Sequence, residues 1–98
     1  MPIGDGHPTH PFSTLGIAVF APARSGVYVI CNQQGQCVYV GQSNDIQRRL
    51  SEHLNDTTHT MHAHGGVSFA YDLVDGDLAR TLRERTLILT LNPPCNEA

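Results

Sequence analysis

The 98-residue chain is long enough for one modest hydrophobic core and too short for two domains. Its 6 arginines stand against 9 acidic residues, a net charge of −3 with no lysine, so the overall balance marks no nucleic-acid partner and local placement of charge must decide. The longest apolar run, Leu15 to Ala23, is too short to cross a bilayer and is broken by Pro22. Cys31, Cys37 and Cys95 have no paired spacing, which argues against a disulfide framework or zinc ribbon and for a reducing compartment. With no signal-peptide pattern at the start, the expected location is cytoplasmic.

Residues 1–11 hold Pro2, Pro8 and Pro11 with Gly4 and Gly6, and read as a flexible leader, leaving 12–98 as a single domain. Phe12 to Phe20 fits either a short helix capped by Ser13 or Thr14, or an extended segment lying on the domain. Gly26 to Gly41 carries β-branched and aromatic residues on both sides of a polar turn, the pattern of a β-hairpin. A two-residue turn at Gln34-Gly35 pairs Gln33 with Gln36 and, further out, Tyr28 with Gly41. Asn44 to Leu54 reads as a helix, with Asn44 as N-cap, Gln47 as capping-box partner and Ile46, Leu50 and Leu54 as its buried stripe. Asn55 to Gly66 is a polar loop rich in histidine, and Val67 to Val74 a third strand. Gly76 to Leu91 is a second helix, capped by Asp77 and stopped by Pro93 and Pro94. Its Leu78/Leu82/Leu89 stripe should face the core, and its apolar end, Thr86 to Leu91, should be buried on more than one side. The order β-β-α-β-α predicts an α/β (α+β) fold, a small three-stranded antiparallel sheet flanked by helices.

Several polar residues could carry chemistry. The hairpin register puts Tyr28 and Tyr39 on one face, as a packed aromatic pair or as two hydroxyls aimed at one ligand. Gly41, opposite Tyr28, has no side chain to cover it and leaves room for an approaching group. The same register sends Cys31 and Cys37 to opposite faces. Arg49 and His53 lie one above the other at the edge of the helix's apolar stripe, in a snorkelling or a phosphate-binding position, while Arg48 points to solvent. Glu84 stands away from the leucine stripe, either in a surface ion pair with Arg80 or as the single carboxylate that a magnesium ion needs. The spacing of His59, His62 and His64 fits no common structural zinc site, so these read as surface histidines.

Taken together these residues resemble the GIY-YIG nuclease superfamily, and its small stand-alone bacterial members most. Gly26-Val27-Tyr28 stands for the first motif and Tyr39-Val40-Gly41 for the second. The segment from Gln42 and Ser43 through Leu54 is similar to the family helix, with Arg49 at its arginine and His53 at its His/Tyr position. Glu84 matches the acidic metal ligand and Asn96 the terminal asparagine. The resemblance implies three antiparallel strands flanked by helices and cleavage of a DNA phosphodiester with a divalent metal, Mg²⁺ or Mn²⁺. Position by position, it implies that Glu84 holds the ion and Arg49 neutralises charge on the transition-state phosphate. It implies that Tyr28 positions or deprotonates the attacking water, Tyr39 and His53 complete the hydrogen-bond network, and Gly41, Gln42, Ser43 and Asn96 bind substrate or support the site. A phenol is a poor base at neutral pH and an imidazole a better one, so the general base is open between Tyr28 and His53. Gln42 replaces the lysine of many relatives, and no basic patch or appended DNA-binding module is evident. Specificity would then come from a partner protein or a structured substrate, and the alternative is a catalytically silent binding module on the same fold.

Overall fold

The structure, a computed structural model, describes residues 9–96. Its elements are β1 (His10–Pro11), α1 (Thr14–Phe20), β2 (Gly26–Cys31), β3 (Cys37–Ser43), α2 (Ile46–Asn55), α3 (Thr60–Ala63), β4 (Ser68–Leu73) and α4 (Asp77–Leu91). The strands form one antiparallel sheet in the spatial order β1-β4-β2-β3. The sheet has four strands where three were expected, because His10 and Pro11 pair with Phe69 and Ser68 along the outer edge of β4. Those two residues were expected in the leader; residues 1–8 of that leader lie outside the described residues. No helix among the described residues is long and apolar enough to cross a membrane.

Both faces of the sheet are covered. Tyr28, Ile30, Val38 and Phe69 point toward α1, α2 and α3 and pack with Ile17, Ile46, Leu50 and Met61. Val27, Val29, Cys31, Val40 and Ala70 point the other way, onto Leu87 of α4. A strand covered on both sides shows a continuous apolar run rather than alternation, which is how β2 reads. The segment after Phe12 forms the helix α1, since the Ser13 hydroxyl accepts the Gly16 N–H at 3.0 Å and caps it.

The hairpin turns over Asn32–Gln36 rather than on Gln34-Gly35 alone. Asn32 Oδ1 accepts the N–H groups of Gln34 and Gln36 at 3.0 and 2.9 Å, and Gly35 supplies the left-handed residue, φ +81°. A β-bulge then restores the expected register: Cys31 opposes Cys37, but Ile30 opposes Tyr39 and Tyr28 opposes Gly41. Cys31 and Cys37 are therefore cross-strand neighbours on the α4 side, not on opposite faces as expected.

Helix starts also differ by a residue. The N-cap of α2 is Asp45, whose Oδ1 accepts the Arg48 N–H at 3.0 Å, and not Asn44. Ser43 fixes this choice, because its hydroxyl accepts the Asp45 N–H at 2.9 Å and donates to the Asp45 carbonyl at 3.0 Å. Gln47, expected in a capping box, donates instead to the Ala21 carbonyl at 3.0 Å and ties α2 to the end of α1. Gly76 rather than Asp77 occupies the N-cap of α4, and Asp77 in the first turn pairs with Arg80.

The packing of α4 is the largest departure. Leu78, Leu82 and Leu89, expected to be buried, are 73%, 58% and 84% exposed. The inward stripe is Arg80, Arg83, Glu84, Leu87, Ile88 and Leu91, with the helical spacing i, i+3, i+4, i+7, i+8, i+11. Its first half is charged, and Arg83 is held there by Asp72 of β4 at 2.8 Å.

Candidate active site

Tyr28 sits in an interior strand with its ring wholly buried on the α2 side. Its phenol lies across Gly41: a Cβ at position 41 would come 2.3 Å from the Tyr28 hydroxyl oxygen. The space expected to admit a ligand is filled by the phenol itself. From there the hydroxyl reaches His53 Nε2 at 2.7 Å. His53 is buried on α2, one turn beyond Arg49, and its placement follows from Leu50 and Ile46 anchoring the helix against the sheet. The bulge turns Tyr39 to the same face, half-buried, with its ring 6.3 Å from Tyr28 and 5.3 Å from His53.

Arg49 stands at the rim of this cluster with its side chain 44% exposed and bound to Glu52 at 3.0 Å. Arg48 shares the same carboxylate from the solvent side at 3.1 Å. Glu84 lies on α4, in the opposite layer, beside Gln42 of β3. It forms no ion pair with Arg80, which bonds to Asp77, Gln42 and Ser25 instead. Among the described residues the Glu84 carboxylate has no ion-pair partner, and it accepts one hydrogen bond, from Gln42 Nε2 at 3.4 Å. Gln42 thus joins β3 to α4, since its amide also bonds Thr81 at 3.2 Å and accepts from Arg80 Nε at 3.2 Å.

Asn96 lies at the sheet edge rather than in the aromatic cluster. Its Oδ1 accepts the Val40 N–H at 2.6 Å and its Nδ2 donates to the Val40 carbonyl at 2.7 Å. It thereby supplies the partners that the edge strand β3 lacks beside Tyr39.

Burial sets the protonation states. It pushes the Tyr28 hydroxyl far above its ordinary 10.0, with Tyr39 and Glu84 adding to the effect and Arg49 opposing it. Burial also raises Tyr39, again against Arg49 and with Glu84. His53 is lowered from 6.5 to about 4, first by burial and then by the charges of Arg49 and His59. At neutral pH the Tyr28–His53 bond therefore joins a neutral phenol to a neutral imidazole, with one proton shared along it.

The histidine loop is only partly a surface feature: His64 is exposed, as expected, while His59 and His62 are half-buried. Met61 of α3 is fully buried, His62 Nε2 bonds the His53 carbonyl at 2.9 Å, and His59 packs edge-on against Tyr39 and His53. Sequence reasoning missed His59 because nothing periodic marks it; only its position two residues before the buried Met61 sets it apart.

A hard divalent ion fits this set of donors better than zinc does. No group of three or more His, Cys, Asp or Glu among the described residues is arranged around a common point, but Glu84 offers a carboxylate without a cationic partner. An ion such as Mg²⁺ takes one or two carboxylates and completes its shell with water and phosphate. A concavity of about 460 Å³ at the hairpin turn, lined by Asn32, Gln36 and Asn92 among others, includes none of these residues.

The family described as GIY-YIG catalytic domain matches residues 24–96. Among curated proteins, the UvrABC system protein C of Methanococcus maripaludis is 27% identical over 79 residues, 76% of this chain and 15% of that protein. A Mycobacterium tuberculosis protein, provisionally named a bifunctional exonuclease/endonuclease, is 31% identical over 84 residues, 82% of this chain and 13% of its own length. The chain thus spans only a small part of these relatives. Among solved structures, the GIY-YIG N-terminal endonuclease domain of UvrC from Thermotoga maritima, bound to magnesium as its catalytic divalent cation, superposes with a TM-score of 0.69. That domain is 25% identical, and the match covers 80% of this chain and 89% of the other.

Proposed function

Because the chain belongs to the GIY-YIG catalytic-domain family, we propose that it is a divalent-metal-dependent endonuclease domain that hydrolyses a phosphodiester bond of DNA. The observation that carries this reading is the buried 2.7 Å hydrogen bond between Tyr28 and His53, one helical turn from the exposed Arg49, with the Glu84 charge raising the phenol. Packing alone would not call for a buried phenol–imidazole pair with those two charges on its rim.

In this reading Glu84 holds Mg²⁺ or Mn²⁺, and Gln42 orients the carboxylate from β3. When bound, the ion supplies positive charge that stabilises the pentacoordinate phosphate and the departing oxygen. Arg49 exchanges its solvent-side partner Glu52 for a substrate phosphate oxygen and bonds it through the same guanidinium fork. Tyr28 orients the attacking water. As that water loses a proton to the phenol oxygen, the phenol passes its own proton to His53 Nε2, 2.7 Å away. The relay lets the two residues act together, since neither alone is a ready base: burial keeps Tyr28 protonated and weakens His53 as an acceptor. Tyr39 packs the outer side of this pair, while Gly41, Ser43 and Asn96 keep β3 and the start of α2 in register.

The net charge of −3 and the glutamine at position 42 give the domain little grip on generic duplex. A branched or otherwise structured DNA, or a partner protein that presents the strand, would supply the missing affinity. The test is incubation with supercoiled, branched and single-stranded DNA in Mg²⁺, in Mn²⁺ and in chelator. Cleavage of at least one substrate that depends on added metal is expected. Binding without cleavage in both metals would replace the enzyme by a silent binding module.

A further inference from the structure

We propose that His59 is a positioning residue of this site, a third ring that holds Tyr39 and His53 edge-on; the proposal rests on the nuclease reading above. The His59 ring lies 5.0 Å from Tyr39 at an interplanar angle of 82°, and 5.2 Å from His53 at 81°. Tyr39 and His53 are themselves 5.3 Å apart at 67°. Each pair meets edge to face, the arrangement that sets the positive rim of one ring against the electron-rich face of the next. Displacing any one ring therefore disturbs the other two.

The ring of His59 is fixed on its far side as well. Its Nδ1 accepts the Met61 N–H at 3.1 Å, which caps α3. A nitrogen that accepts cannot carry the proton, so the neutral imidazole is held in the Nε2–H form. The helix it caps is in turn secured by the fully buried Met61 and by His62, which bonds the carbonyl of His53 at 2.9 Å. Backbone and ring thus connect His59 to His53 by two routes, one through space and one through α3.

Protonation of His59 would act on the site in two ways. It would turn Nδ1 from acceptor to donor and release the cap on Met61, and it would set a positive charge beside His53. The groups facing His53 are Tyr28 from β2, Tyr39 from β3, Arg49, Glu52 and Asp56 from α2 and its end, His59, and His62 from α3. Of these, Arg49 and His59 oppose its protonation, while Glu52 and Asp56 favour it.

Imidazole ¹⁵N–¹H spectra of the metal-free full chain test the proposal without reference to activity. His59 is expected in the Nε2–H form at neutral pH, and His59→Asn is expected to move the titration of His53 upward from about 4. Asparagine is itself a good N-cap, so His59→Asn removes the ring while keeping an acceptor for Met61. With thermal midpoint near the wild type, it should lower kcat for DNA cleavage about tenfold with little change in KM, as expected when a reacting group is held less accurately. His59→Phe, which keeps a ring and loses the cap, should melt earlier yet retain more of kcat. A His53 titration and a kcat unchanged in His59→Asn would make His59 a cap and nothing more. Should that variant not fold, His59→Phe decides: a kcat near that of the wild type would support the proposal, and a loss of about tenfold with the ring retained would overturn it. Failure of the wild type to cleave any DNA would sink the nuclease reading, while the His53 titration would still decide the role of His59.

Discussion

Tyr28, Gly41 and His53 work as one unit, and each explains the other two. The phenol can reach His53 only by lying over position 41, where any side chain would strike it. Desolvation then makes the pair sensitive to acid. In the fold His53 remains neutral down to about 4, whereas in the unfolded chain it takes up a proton near 6.5. Between those values the unfolded state binds more protons, so stability falls as pH drops from about 6.5 to about 4, by on the order of 3 kcal/mol in all. Above 6.5 this group adds no slope. Urea midpoints at neutral and mildly acidic pH measure the effect, and His53→Tyr, which cannot titrate there, should flatten it; an equally steep fall in that variant would assign the acid sensitivity elsewhere. Much of this unit was legible in the residues, because the hairpin register ties Tyr28 to Gly41 and a helix's turn ties Arg49 to His53. What a register cannot reveal is where a long side chain ends. The same glycine reads as open space until the length of the phenol is laid over it, and His59 reads as surface until the loop folds back.

At the scale of elements, the sheet's outer strand is the one that carries Tyr39, and an edge strand needs its backbone satisfied. Asn96 does this for Val40 with bonds of 2.6 and 2.7 Å, while the Cys95 N–H bonds the Val38 carbonyl at 3.0 Å. Asn96→Ala leaves the buried Val40 amide without its partner and should cost about 1–3 kcal/mol. Hydrogen exchange at Val40 should quicken with it, and an unchanged exchange rate would show that the tail does not secure the edge. The helix α4 shows why element packing was only half legible. Periodicity finds leucines, and Leu78, Leu82 and Leu89 line up in the primary structure, yet they face outward. The face turned to the sheet begins with Arg80, Arg83 and Glu84 because the chain spends that stretch on Gln42, Asp72 and the candidate metal ligand. A local rule fails here where a charged cluster meets the sheet, which is where a functional site is expected to override it. The bulge at Ile30/Cys31 misled in a smaller way: the turn was assigned to the wrong residues, and the register beyond it still came out as expected.

For the molecule as a whole, five separate segments would deliver the proposed site. β2 and β3 bring the phenols, α2 the arginine and the imidazole, α4 the carboxylate, and the chain's tail braces the strand between them. The arginines follow this division, with Arg48 and Arg49 on α2 and Arg80, Arg83 and Arg85 on α4, but Glu52, Asp77 and Asp72 pair with four of these five, so the helices present no broad positive field. Such a layout favours a substrate held at a few points over one drawn in by a broad field.

The most direct measurement is single-turnover cleavage of a susceptible DNA in Mg²⁺ by the wild type and by Glu84→Gln, with the Tyr28–His53 pair verified by the same imidazole spectra in both. The substitution keeps the shape of the side chain and removes the charge that would hold the ion. The rate should fall at least about 100-fold while the pair and the thermal midpoint stay in place. A rate within about twofold of the wild type would contradict the assignment of Glu84 as the metal ligand, and with it the account of this cluster as a metal-dependent nuclease site.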